Sequence, residues 1–311
     1  MIAILGEALI DFVGSKGSDG KDLFYYYNGG SALNTAVATA RLNASTLYLG
    51  KLSKDMFGKQ MQVFLEANNV KLVPWLCDVE QNSMIGFAKL DTGGSASYVF
   101  YTQGTTVTEL SKGEILRVFE QYTAIDYLLV GSVAVALEKS GNAILEALQT
   151  VGKTRFNLIF DPNVRPTVIN DFARYQQRVF EFVKLSYLVK LSDEDLLHLF
   201  PAKSLADGVA SLLKLGAEQV VLTKGKEGLE WHNSQGLNVK VPAVDNPIVD
   251  TIGAGDTVSG ALLNFLQENN LKRSGFITEE QAREALSFAA KAAAVTTGRE
   301  GADPPKRFEV V

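Results

Sequence analysis

The stretch VDTIGAGDTVSG, Val249 to Gly260, decides how the chain is read. Gly253, Ala254 and Gly255 stand directly before Asp256, and the following TVSGALLNFLQEN is apolar at helical spacing. The glycines therefore sit at a helix start. There the backbone N–H groups lack intrahelical acceptors and the positive end of the dipole points outward. Residues with almost no side chain let an anion come close to those groups. On these residues alone, an ordinary Gly-rich turn capped by Asp256 is an equal reading, because short glycine patterns are weakly diagnostic.

Outward from this point, apolar β-branched runs recur: IAILG, STLYLGKLS, YLLVGSV, FNLIFDPN, LSYLVKLS and QVVLTKG. Between the later ones, EILRVFEQY, NAILEALQTVG, YQQRVFEFVK and LADGVASLLKLG space their apolar residues three and four apart. The alternation predicts an α/β domain with a mostly parallel central sheet and helices on both faces. Ligands gather at the carboxyl edge of such sheets. Two segments break the alternation, FVGSKGSDGKDLFYYYNGG and NSMIGFAKLDTGGSASYVFYTQGTT. The second reads as a hairpin turning at Asp91–Ser95. Both are expected to form a small β-sheet lid, contributed by about 12–28 and 70–105, on one domain spanning 1–311.

Composition narrows the function classes. Hydrophobic residues at 46% and charged residues at 21% describe an ordinary globular chain, with no apolar run of transmembrane length. The first strand-like run carries Glu7 and Asp11 and lacks a basic leader, so a cytoplasmic protein is expected. Cys77 is the only cysteine, which excludes an internal disulfide. His198 and His232 are the only histidines and lie far apart, which argues against a His-based zinc site or a Ser–His–Asp triad. A net charge of −5 without a Lys/Arg run argues against a nucleic-acid partner. No G-x-x-x-x-G-K-[ST] occurs, and GAGDTV lacks the third glycine of the dinucleotide fingerprint.

A second motif is NGGSALNTAVATARL, Asn28 to Leu42. Gly29 and Gly30 lead into a helix of small residues, with Asn34 near its first turn. A carboxamide there can bond a hydroxylated ligand as donor and acceptor; it can equally support the turn alone.

The pair GGSALNTAVATARL and DTIGAGDTVSG resembles the two signatures of the PfkB (ribokinase-like) carbohydrate kinases. GEALID, DPNVRP, VKLSDEDL, VVLTKGKEG and AAVTTGREGADPP support the likeness over nearly the whole chain. The resemblance implies a ribokinase-like three-layer sandwich. It implies transfer of the γ-phosphoryl group of ATP, with Mg²⁺, to a sugar hydroxyl. GEALID, DPNVRP and KLSDEDL are most similar to bacterial members acting on D-fructose at the C6 hydroxyl. Kinases for 2-keto-3-deoxygluconate, ribose or a nucleoside, and a non-catalytic relative that keeps the fold, remain alternatives.

The resemblance also assigns roles. Asp256 becomes the base for the sugar hydroxyl, and Gly253, Ala254, Gly255 and Asp256 the anion hole. Asp11, Gly29, Gly30, Asn34, Asn163 and Arg165 face the sugar, with Phe100 shielding it. Lys190, Ser192 and Asp195 meet the phosphates and Mg²⁺, and Thr223, Gly225 and Gly228 lie beside the nucleotide. Asp250, the carbonyl of Ile252 and the loop near Gly301 match a monovalent-cation site, so K⁺ is a further candidate. Plainer readings stand beside these: a solvated Asp11, a surface ion pair for Arg165, a helix start at Ser192–Asp195, a hairpin turn at Thr223–Gly228 and a core aromatic at Phe100.

Three departures from the family pattern matter. Val258 stands where an aromatic is usual. Ser192 and Asp195 replace Asn and Glu, and the shorter carboxylate leaves direct metal contact open. Thr102 stands where kinases for 2-keto-3-deoxygluconate often carry an arginine, which favours a neutral sugar. The lid strands are expected to pair two copies into a homodimer.

Overall fold

The computed structural model describes residues 1–90, 96–273, 275 and 277–311, with the backbone alone at 88–90 and 96–98. The turn expected at Asp91–Ser95 lies outside the described residues.

Nine described strands form the large sheet. They are β1 (Ile2–Leu5), β4 (Thr46–Tyr48), β5 (Lys71–Leu72), β8 (Tyr127–Gly131), β9 (Asn157–Asp161), β10 (Leu188–Ser192), β11 (Gln219–Thr223), β12 (Leu229–Asn233) and β13 (Asn238–Val241). Their order is β13-β12-β11-β10-β9-β8-β1-β4-β5, parallel except where β12 pairs with β11 and β13. Residues of β1 show why the sheet is internal. Ile2 and Ile4 face one core, while Ala3 and Leu5 face the other, all fully buried. Apolar side chains on both faces need a cover on both, and helices supply it.

One cover is α1 (Ser31–Arg41), α2 (Met56–Ala67), α9 (Ala254–Glu268) and α10 (Glu279–Thr297). The other is α3 (Lys112–Gln121), α4 (Ser132–Ala136), α5 (Glu138–Val151), α6 (Phe172–Leu185), α7 (Asp193–Leu199) and α8 (Leu205–Leu215). This is the three-layer arrangement the alternation predicts. Two kinds of helix start recur. α3 and α10 begin at capping boxes, Ser111 with Glu114 and Thr278 with Gln281. α1, α4 and α9 begin at glycines, Gly30, Gly131 and Gly253, which have no side chain to cap them. The three glycine starts gather at the site described below.

The two motif helices, α1 and α9, lie against each other. A Cβ added at Gly260 would stand 2.8 Å from Ala38 Cβ and 3.0 Å from the Thr39 nitrogen. The small residues of NTAVATA therefore serve close packing, and Val258 is buried in the same core.

The small sheet has four strands in the order β3-β2-β6-β7: β2 (Leu9–Lys16), β3 (Asp22–Gly29), β6 (Met84–Leu90) and β7 (Ala96–Tyr101). Its extent differs from the expected 12–28 and 70–105. β2 already starts at Leu9, because the chain passes from β1 into it after three residues. Lys71–Leu72 pair with β4 in the large sheet, so the chain joins the small sheet only at Met84. Phe12 anchors the sheet, stacking on Phe87 at 5.0 Å and meeting the edge of Phe57 from α2 at 5.8 Å.

Candidate active site

The chain reaches α9 through Gly253 at φ 77°, a left-handed conformation that glycine adopts freely. A Cβ there would also lie 2.7 Å from Ala302 Cβ. The first N–H groups of a helix have no intrahelical acceptor, and no side chain of the N-cap takes them here. The amides at Gly255 and Asp256 are therefore left without a capping side chain. Gly255 adds room on one side, since a Cβ there would come within 3.2 Å of Lys190 Nζ.

Asp256 is held on both oxygens. Ser31 Oγ donates to Oδ1 at 2.6 Å and Asn34 Nδ2 donates to Oδ2 at 2.9 Å. Both donors lie in the first turn of α1, so the two sequence motifs meet at this carboxylate. Asn34, placed by the resemblance at the sugar floor, also orients Asp256 through its amide nitrogen. Gly30, at φ 99°, turns the chain into α1 where a Cβ would stand 2.7 Å from the Glu7 carbonyl.

Asp11 projects from β2 into the same cleft between two glycines. A Cβ at Gly29 would lie 2.3 Å from Asp11 Oδ2, and one at Gly86 3.0 Å from Oδ1. Phe100, cross-strand from Gly86, covers that glycine, with its ring 2.9 Å from the position of the absent Cβ. Burial pushes the Asp11 carboxyl up to about 6, against the pull of Arg165 and with the push of Asp256. Arg165 therefore stands near enough to be felt. Its Nη1 donates to the neighbouring Val164 carbonyl at 3.3 Å. Asn163 holds φ 38° at the end of β9, a left-handed turn that Asn tolerates better than most residues.

Beneath the start of α9 lies a buried ionic cluster. Lys190 Nζ donates to Asp161 Oδ2 at 2.8 Å, and Ser259 Oγ donates to the same oxygen at 3.0 Å. Burial pulls the Lys190 ammonium down, but Asp161, Asp256 and Asp195 outweigh this and hold it above its usual value. Burial raises the Asp161 carboxyl despite Lys190. A cation directly under the helix start favours a phosphate there. Asp195 has a structural task as well. Its Oδ1 accepts the Val164 N–H at 2.7 Å and its Oδ2 the Ser192 N–H at 3.1 Å. With Ser192 it forms the capping box of α7. The carboxylate that the resemblance places beside Mg²⁺ also pins the loop that presents Arg165.

Thr223 ends β11, and Gly225 and Gly228 turn the chain into β12 as a hairpin. Gly228, at φ 96°, leaves no space for a Cβ, which would lie 2.1 Å from the Val241 carbonyl. Asp250 draws the loops around Gly253 together, accepting the Ile252 N–H at 3.0 Å and the Gly301 N–H at 3.0 Å. Among the described residues, no group of three or more His, Cys, Asp or Glu side chains forms a metal cluster. No described helix is long and apolar enough to cross a membrane.

Sequence reading missed Glu7, Ser31, Gly86, Asp161 and Ser259. Gly86 carried a usable signal, since a glycine inside a strand marks close approach. Glu7 is 2% exposed and accepts the Ser31 N–H at 3.2 Å and the Ala134 N–H at 3.1 Å. Burial pushes it up to about 7, despite those bonds.

Raised carboxyls make stability depend on pH. Glu7 and Asp11 hold protons more tightly when folded than their ordinary values of 4.5 and 3.8. The stability this brings is complete below those ordinary values and is lost as pH rises through about 6 and about 7. Between pH 5 and pH 8 the loss is of order 3 kcal/mol at about 1.4 kcal/mol per pKa unit. The ligand-free protein is expected to melt about 5 °C lower at pH 8 than at pH 5, and Asp11→Asn is expected to shrink that difference. Calorimetry showing Tm constant or rising across the window would count against both assignments.

A family model described as pfkB family carbohydrate kinase matches residues 1–307, and the chain belongs to this family. It is a sugar kinase with the ribokinase-like fold. A fructokinase of Rhizobium leguminosarum bv. trifolii is 33% identical over 286 residues, covering 91% of this chain and 85% of that one. The crystal structure of a fructokinase with bound ATP from Xylella fastidiosa superposes with a TM-score of 0.86 at 25% identity, covering 99% and 96% of the two chains. A double-mutant fructokinase from Vibrio cholerae O395, in fructose-, ADP- and potassium-bound form, gives a TM-score of 0.81 at 24% identity over 97% and 93%.

Proposed function

We propose that the protein phosphorylates D-fructose at the C6 hydroxyl, using ATP. The observation that carries this is Asp256 at the start of α9. One carboxylate is clamped by Ser31 and Asn34 beside an uncapped helix start, with Asp11 and Arg165 in the same cleft. The likeness to fructokinases supports the sugar.

In this reading Asp11 accepts hydrogen bonds from sugar hydroxyls, with Gly29, Gly30, Asn163, Arg165 and Phe100 around the sugar. The C6 oxygen attacks the γ-phosphorus of ATP, the bond to the β-phosphate oxygen breaks, and the hydroxyl proton passes to Asp256. An aspartate is a weak base for a ground-state alcohol, but suffices when the proton leaves late. Most of the rate then comes from positioning and charge stabilisation. The amides of Gly253–Asp256 and the Lys190 ammonium receive the phosphoryl charge. Mg²⁺, when bound with ATP, neutralises phosphate oxygens. Thr223, Gly225 and Gly228 border the nucleotide, and Asp250, the Ile252 carbonyl and the loop at Gly301 hold a monovalent cation. The small sheet closes over the cleft and keeps water from competing as acceptor.

The test is ADP release from Mg·ATP with fructose, ribose, 2-keto-3-deoxygluconate, glucose, tagatose and a nucleoside. Fructose is expected to give the highest kcat/KM. A better substrate among the others would move the specificity, and no turnover with any would sink the reading.

The working unit in this reading is a homodimer. The outer strand β3 exposes five successive large side chains, Leu23, Phe24, Tyr25, Tyr26 and Tyr27, at 38–57% each. An unpaired apolar edge of this size suits a second copy of the same sheet. Sedimentation at micromolar concentration is expected to give twice the chain mass, and monomer alone would exclude it.

A further inference from the structure

We infer that Glu7 is a positioning residue that joins the starts of α1 and α4 and thereby sets the clamp on Asp256. The inference rests on the kinase reading above but concerns a residue with no role in it.

The geometry is specific. Glu7 lies in the short link between β1 and β2, with its carboxylate buried. One oxygen accepts the N–H of Ser31, the first residue of α1, and the other accepts the N–H of Ala134 in the first turn of α4. The Ser132 side chain also bonds it. Gly30 and Gly131 cap neither helix, so this one carboxylate takes amides from both. Ser31 links the two parts of the site: its amide donates to Glu7 and its hydroxyl to Asp256. Ser132 holds φ 54°, a strained conformation for a residue with a side chain, and contacts such as these sustain such strain. A buried ion without a formal cation partner is costly, so plain packing would favour a neutral side chain at this position.

Protonation would give one oxygen a hydrogen that faces an N–H instead of accepting it. The first turn of α1 would loosen, and Ser31 and Asn34 with it. The charged or titratable groups around Glu7 are few. Asp256 on α9 raises it, and Tyr48 on β4 feels it. Lys51 lines the same small cavity but is paired with Glu114 at 2.8 Å. From α1 the Ser31 amide faces it, and from α4 the Ala134 amide and the Ser132 hydroxyl. Glu7, pushed to about 7, therefore titrates where activity is measured.

The experiment compares wild type with Glu7→Gln at pH 6 to 8. Wild-type kcat on fructose is expected to fall about tenfold from pH 8 to pH 6, as a group of pKa near 7 becomes protonated. Titration of Asp11 is expected in the KM for sugar instead. Glu7→Gln is expected to lose about tenfold in kcat at pH 8, to show a flat kcat from 6 to 8, and to keep its sugar KM within about twofold. Hydrogen exchange reads the same link without substrate. Amides at 30–35 are expected to exchange several-fold faster in the variant, with α5 unchanged. A variant that keeps the acid limb of kcat, or whose 30–35 amides exchange as in wild type, overturns the inference. If Glu7→Gln does not fold, wild-type protection of 30–35 must weaken below pH 7 after correction for intrinsic rates; protection independent of pH overturns it. Wild type that turns over no sugar sinks the proposed function alone, and the exchange data then decide on Glu7.

Discussion

Asp256→Asn is expected to lower kcat on fructose by about 10²–10⁴-fold, the range for loss of a positioned base, while ATP affinity changes by no more than a few-fold. The carboxamide has the shape of the carboxylate and keeps one oxygen to accept from Ser31 Oγ. Its nitrogen then faces Asn34 Nδ2, so one of the two clamping bonds is lost. The amides of α9 are unchanged, which is why the nucleotide should still bind. The proton from C6, however, has no acceptor. Turnover by ADP release and ATP affinity by calorimetry separate the two effects. A loss of kcat below tenfold would remove Asp256 from the role of base. Joint loss of kcat and ATP binding would mean that the helix start had collapsed, and the mutant would then report on the anion position.

Gly253→Ala is expected to act on that position directly. At φ 77° an alanine is strained, and its Cβ would stand 2.7 Å from Ala302 Cβ and 3.0 Å from Ala302 Cα. Neither neighbour is a flexible side-chain end, so the backbone itself has to move. The strain and clash are expected to cost about 1–3 kcal/mol of stability. Tilting the amides of Gly255 and Asp256 is expected to lower kcat by about 10²–10³-fold, as loss of an oxyanion donor does. Gly236→Ala is the control, with φ 91° and open space around it. It should show a small loss of stability and unchanged kcat. Equal kcat in both variants would argue against phosphate binding at the start of α9.

Much of this arrangement is legible in the chain itself. IAILG and YLLVGSV announce internal strands because both faces are apolar, and β1 and β8 pair side by side. Gly253–Asp256 announces a helix start, because small residues precede an apolar helical run. What is not legible comes from contacts between distant segments. Ser31 and Asp256 are 225 residues apart, and Ser259 and Asp161 are 98. That Asp195 also takes the Val164 amide, 31 residues away, shows only in the fold. The stretch before Met84 reads as part of the small sheet because its short strand, Lys71–Leu72, is too brief to show a period. Glu7 sits in an apolar run where only the arrival of two helix starts explains a charge.

Gly260 stands one turn along α9 from Asp256, and its missing side chain lets α9 rest on Ala38 and Thr39 of α1. The bearing between Asp256 and its clamp is therefore set by the thickness of the seam between α9 and α1. In the proposed reading the sugar is met elsewhere, by Asp11 of β2, Phe100 of β7 and the Asn163–Arg165 loop after β9. In that reading selectivity and turnover are mechanically separate. The rim of the cleft can be reshaped for another sugar while the hinge line between the two helices keeps the chemistry in register.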